Sequence, residues 1–146
     1  MERGHDLLRR MLSIVLAALV SFAAVAGDIS PSDARAMRAI IEAQLDAFRQ
    51  NDAKRAFSYA AVGIQEVFGT AESFIEMVRT SYPVVYRPNS VQFDPPVIID
   101  GQVVQPVRMT DAEGRAWLAI YPMQRHPDGG WRINGCQLGR LVGREI

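Results

Sequence analysis

The spacing of hydrophobic positions along the chain changes twice. From Met11 to Val25 they run almost without a break, with only Ser13 and Ser21 between them. From Met37 to Val78 they recur every three or four residues, and from Val91 onward they alternate with other positions. The second pattern is that of helices packed on one side, and the third that of half-buried strands.

The helical stretch divides at its capping and breaking residues. Ser30-Pro31-Ser32-Asp33 opens a first helix: Ser30 can cap, Pro31 suits the first helical position, and Asp33 can reach back as an acidic third residue. Met37, Ile41, Leu45 and Phe48 make its apolar side with Ile40 and Gln44 alongside, while Arg35, Arg38, Glu42 and Arg49 fall on another face. Asn51-Asp52 breaks this helix, and Asp52 can cap a second one with Ala53, Ala56, Phe57 and Ala60 as its stripe. Gly63 and Gly69 then interrupt the chain. Thr70 can cap a third helix that turns Phe74, Met77 and Val78 inward. Tyr82-Pro83 stops it, because a residue before proline avoids helical angles.

From Val84 the period changes. Val91 and Phe93 begin a strand that Pro95-Pro96 restricts to an edge or a bend, with Val97 to Ile99 resuming it. Asp100-Gly101 is a hairpin turn. Val103, Gln105, Val107 and Met109 share one face of the next strand, and Asp111 to Gly114 turns the chain again. Between Arg115 and Gln124 both faces are largely apolar, which predicts a central strand covered on each side. After the Asp128-Gly129-Gly130 turn, Trp131 and Ile133 lie on one face of the last strand and Cys136 and Leu138 on the other, unless a bulge at Asn134-Gly135 inserts one residue and brings all four together. Three helices followed by about four antiparallel strands predict a single α+β domain, with helices packed on one sheet.

The first pattern has a different origin. Arg3, Arg9 and Arg10 precede the apolar run, which closes on Ala24-Val25-Ala26 before Gly27-Asp28. A basic start, a short apolar stretch and small residues three and one before the cut are the features a signal peptidase reads. The run is shorter than the roughly 20 apolar residues that span a bilayer core. The expectation is a signal peptide over residues 1–26, cleavage between Ala26 and Gly27, and a mature domain over 27–146 that is periplasmic or secreted and has no membrane attachment of its own.

Charge and rare residues narrow the chemistry. From Gly27 onward there are 13 Lys or Arg against 14 Asp or Glu, with no basic block or stripe. Phosphate contacts need clustered positive charge, so nucleic acid is not an expected partner. Cys136 is the only cysteine and cannot form an internal disulfide; its ordinary fate is burial as a small hydrophobe, its alternative a free thiol. His126 is the only histidine of the mature chain and sits in a turn. No metal site, phosphate loop or dinucleotide motif is present, and no cofactor or catalytic residue is expected.

Several local strings carry a resemblance: Ile41-Glu42-Ala43-Gln44-Leu45-Asp46-Ala47-Phe48, Asn51-Asp52-Ala53, Phe57-Ser58-Tyr59-Ala60, Met77-Val78-Arg79, Tyr82-Pro83 and Gly130-Trp131-Arg132-Ile133-Asn134-Gly135-Cys136. They resemble a bacterial domain-of-unknown-function family, number 4864, and the order of elements resembles the nuclear-transport-factor-2-like superfamily that includes ketosteroid isomerase. The resemblance implies a cone-shaped fold with an inner pocket. The catalytic relatives place an Asp base and acidic or phenolic hydrogen-bond donors in that pocket. Asp94 and Asp100, the acids near the strands here, fall beside prolines or in a turn and match no inward position.

Polar residues at otherwise apolar inward positions are therefore the candidates for a pocket. They are Tyr59 at the end of the second helix, Tyr82 at the end of the third, Gln105, Tyr121, Asn134 and Cys136. Gln44 is either the buried partner of Gln105 or exposed. The leading expectation is a non-catalytic module that binds a small apolar or amphipathic molecule. One alternative is an isomerase or hydratase using a pocket carboxylate and a tyrosine. Another is a domain that dimerises through its sheet.

Overall fold

The computed structural model describes residues 29–142, so the expected signal peptide and its cleavage residues Ala24, Ala26 and Gly27 lie outside the described residues. Helix α1 spans Pro31–Arg49. Ser30 Oγ accepts from the Asp33 backbone N–H at 3.0 Å, and Pro31 occupies the first turn. Asp33 does not complete a reciprocal cap with its carboxylate; it accepts instead from Arg125 at 2.7 Å and from the Trp131 indole at 3.2 Å, joining the start of α1 to the sheet. Met37, Ile41, Leu45 and Phe48 are buried on the expected side. Asn51 at φ +53° turns the chain out of α1, and Asp52 caps α2, Ala53–Ser58.

Among the described residues, five helical segments precede the sheet where three were expected. The additions are α3, Val62–Phe68, and α5, Pro83–Tyr86, on either side of α4, Ala71–Ser81. Gly63 did not prevent α3, because it stands in the first turn, where backbone N–H groups have no intrahelical partner in any case. Gly69, at φ +74°, terminates it. Tyr82 leaves helical angles at φ −130° and ψ 55°, as a residue before proline should. Pro83 then supplies a ready-made first helical residue, and Val84 and Val85 are buried in a turn of helix where alternation was expected to begin.

The sheet is antiparallel and curled, with four rows. β1 (Ser90–Phe93) and β2 (Val97–Ile99) lie end to end along one side of β3 (Gln102–Thr110). β4 (Ala116–Arg125) lies on the other side of β3, and β5 (Trp131–Ile133) and β6 (Gln137–Arg140) lie end to end along β4. Each outer row is one strand broken by a bulge. Asp94 to Pro96 face only Gln105 and Pro106, and Asn134 to Cys136 face only Tyr121 and Pro122, so each break inserts one residue. Gln105 and Tyr121 are register partners, so the two bulges stand in one line across the sheet. The second bulge is the one expected at Asn134-Gly135. It puts Trp131 and Ile133 in the core and packs Cys136 and Leu138 against it.

The concave face carries Val107, Met109, Ala119, Tyr121 and Met123; α1 and α5 pack against the sheet, and Phe74, Ile75 and Val78 of α4 join the same core. β4 is central, but its second face is not covered: Leu118, Ile120 and Pro122 are half-buried on the outer side. That face is apolar without any element of the described chain packed over it.

Candidate functional site

A cavity of about 270 Å³ lies between the helices and the concave face. α1 contributes Gln44 and Phe48, and α3 contributes Ile64 and Phe68. Phe74, Met77 and Val78 come from α4, and Tyr121, Gly135 and Cys136 from the sheet. Phe74 holds this wall together, with its ring 5.3 Å from Phe57, 5.7 Å from Phe68 and 6.0 Å from Phe48. Pairs at such separations add to the apolar burial that fixes the wall.

Of the six pocket candidates, Tyr82, Tyr121 and Cys136 line this cavity. The other three stand elsewhere. Tyr59 closes α2, and its carbonyl accepts from the Ile133 N–H at 2.9 Å, tying that helix to β5. Gln105 is only 2 % exposed, and its amide donates to Asp94 O at 2.6 Å and Pro106 O at 2.8 Å across the first bulge. Asn134 lies in the second bulge, where its backbone N–H donates to Pro122 O at 2.8 Å.

Gln44 belongs to the site, and its alternatives are both replaced. It is neither exposed nor bonded to Gln105: Nε2 donates to Ala56 O at 3.1 Å, holding α1 against α2. That leaves the carbonyl oxygen Oε1 without a hydrogen bond among the described residues. The signal was already in the chain, as a glutamine within the apolar stripe of Ile41, Leu45 and Phe48.

Tyr121 is the unusual member. It is 1 % exposed, and its hydroxyl has no hydrogen-bond partner among the described residues. A buried hydroxyl left unpaired is unfavourable by about 1–3 kcal/mol. Burial raises its pKa well above the ordinary phenol value, and the neighbouring Cys136 adds to the effect. The two side chains are close, yet they stop short of hydrogen-bond geometry. Burial also pushes the Cys136 thiol up to about 12, so it stays protonated at neutral pH and is a poor nucleophile. The cavity thus combines apolar walls with four uncharged polar side chains: the Tyr82 and Tyr121 phenols, the Cys136 thiol and the Gln44 amide.

A wider groove of about 670 Å³ shares Tyr82 with this cavity and contains Asp111. Its carboxylate accepts from Trp117 Nε1 at 2.9 Å, Arg115 Nε at 2.7 Å and the backbone N–H groups of Glu113 and Arg115. All of that capacity goes to the β3–β4 turn. Among the described residues no group of three or more His, Cys, Asp or Glu is placed to hold a metal ion. No helix there is long and apolar enough to cross a membrane.

No curated protein and no solved structure matches the chain. Residues 30–146 match the family described as Domain of unknown function (DUF4864), a span that covers the helices, the sheet and every residue of the cavity, and the chain belongs to that family.

Proposed function

We propose that this protein is a binding module, exported and relieved of residues 1–26, that holds one small and mostly apolar molecule between its helices and the concave face of its sheet. The observation that carries this is an apolar cavity of about 270 Å³ lined by Tyr121, whose hydroxyl is buried and has no hydrogen-bond partner among the described residues. Ligand sites have this make-up, apolar walls with a few polar groups that orient the occupant. The order of elements, likened to the nuclear-transport-factor-2-like cone, supports the same reading. An enzyme of the carboxylate-and-tyrosine kind finds no Asp or Glu among the residues lining the cavity.

Native mass spectrometry of protein purified from its own host tests the proposal. The expected spectrum shows a chain beginning at Gly27 with one additional small mass that is lost on activation. A chain without such a mass, together with a crystal structure in which side chains fill the cavity, overturns it.

A second reading is self-association through the outer face of the sheet. It is favoured by the apolar residues left half-buried or exposed there, among them Val97, Ile99, Leu118 and Ile120.

A further inference from the structure

The cavity's polar groups restrict what it can accept, a step that rests on the binding reading above. Tyr121, Cys136 and Gln44 come from β4, the second bulge and α1, and they are the hydrogen-bonding side chains in the wall besides Tyr82, which stands at the edge shared with the outer groove. Among the described residues no Asp, Glu, Lys, Arg or His lines it. A charged group entering this space would lose its hydration with no countercharge to meet it, which is strongly unfavourable. The free bonding capacity is specific as well. The Tyr121 hydroxyl has a proton to donate and no acceptor among the described residues. Gln44 commits one of the two N–H groups of its Nε2 to Ala56 O. The donor that is buried and wholly unpaired among the described residues is the Tyr121 phenol, and its natural complement is an uncharged oxygen.

We infer that the ligand is a neutral molecule of medium size whose single carbonyl or hydroxyl oxygen accepts a hydrogen bond from Tyr121 while its hydrocarbon part lies against Phe68, Phe74 and Met77. An apolar cavity of about 150 Å³ accommodates benzene, so one of about 270 Å³ accommodates roughly ten non-hydrogen atoms. Because both Tyr121 and Cys136 keep their protons throughout the neutral range, this selection against charge persists across it.

The test uses three probes of matched length on the mature chain: 2-nonanone, decane and nonanoate, with binding followed by calorimetry and by the methyl NMR signals of Met77. The ketone is expected to bind most tightly, the alkane more weakly and the carboxylate at least a hundredfold more weakly than the ketone. Tyr121→Phe removes only the unpaired hydroxyl. It is expected to weaken the ketone by about three- to tenfold, the worth of one hydrogen bond, and to let decane bind at least as tightly as before, because the wall becomes more apolar. Retained decane binding also shows that the variant is folded around an intact cavity. If the carboxylate binds as well as the ketone, or if Tyr121→Phe leaves the ketone unaffected, this inference fails while the binding reading stands. If none of the three binds, both fail.

Discussion

Gln44, Gln105 and Asp111 are buried polar side chains with three separate reasons for burial. Gln44 joins two helices, Gln105 spans a bulge, and Asp111 organises a turn. A buried polar group is tolerated when its bonds are replaced, and Asp111 shows this most fully. Burial alone would raise its pKa, but the donors from Trp117, Arg115 and Glu113 outweigh it and hold the carboxyl below the ordinary carboxylate range. A group whose pKa is lower folded than unfolded binds more protons when unfolded. Its stabilisation is therefore complete above the unfolded value near 4 and is lost as pH falls through the folded one. Urea midpoints are expected to fall as pH drops below about 4. Asp111→Asn is expected to make that decline shallower without abolishing it, because Asp33, Asp46 and Asp128 are depressed in the same direction. Identical slopes for the variant and the parent would contradict the role given to Asp111.

At the scale of elements, the alignment of the two bulges shapes the cavity. Each inserts one residue opposite the Gln105–Tyr121 row, and extra residues at matching places on both flanks bend the sheet along that row. Tyr121 stands where the sheet curls, which accounts for its complete burial. The bulge at 134–136 depends on Gly135, whose φ of +115° is a conformation that side chains disfavour, although no atom crowds the position. Gly135→Ala is expected to destabilise the fold by roughly 1–3 kcal/mol through backbone strain alone. Gly139→Ala, at a position equally uncrowded and with an ordinary backbone, is expected to stay within about 0.5 kcal/mol. Equal effects in urea titrations of the two variants would show that the bulge does not depend on a glycine. This bulge was legible in the chain: Trp131 and Ile133 stand on one parity and Cys136 and Leu138 on the other, and one residue inserted at the glycine between them puts all four on the same face. The helix α3 was not legible, since its Gly63 reads as a breaker until its place in the first turn is known.

For the molecule as a whole, the outer face of the sheet is the surface on which the proposed self-association rests. Val97 pairs with Val104 and therefore shares its face, as does Ile99 with Gln102; Leu118, Ile120 and Pro122 continue the same surface on β4. Val97 is 40 % and Ile99 50 % exposed. Sedimentation of residues 27–146 at micromolar concentration is expected to show a dimer, and Ile120→Glu a monomer with undiminished probe binding. A strictly monomeric parent overturns self-association.

The local pattern of the chain by itself determined the α+β class, the caps at Ser30, Asp52 and Thr70, the hairpin at Asp100-Gly101 and the second bulge. Each of these depends on residues near one another in sequence, where periodicity and backbone preference act directly. Membership of the cavity was decided only by the tertiary structure. Tyr59 and Tyr82 end helices in the same way, and Gln105 and Tyr121 face inward from paired strands, yet only Tyr82 and Tyr121 reach the cavity. What separates them is which carbonyl lies within reach. Gln105 meets Asp94 O across the first bulge and is satisfied there. Tyr121 lines the cavity, and its hydroxyl, enclosed by its neighbours, meets no acceptor among the described residues. That cavity is a product of long-range packing, and no spacing of residues along the chain encodes it directly.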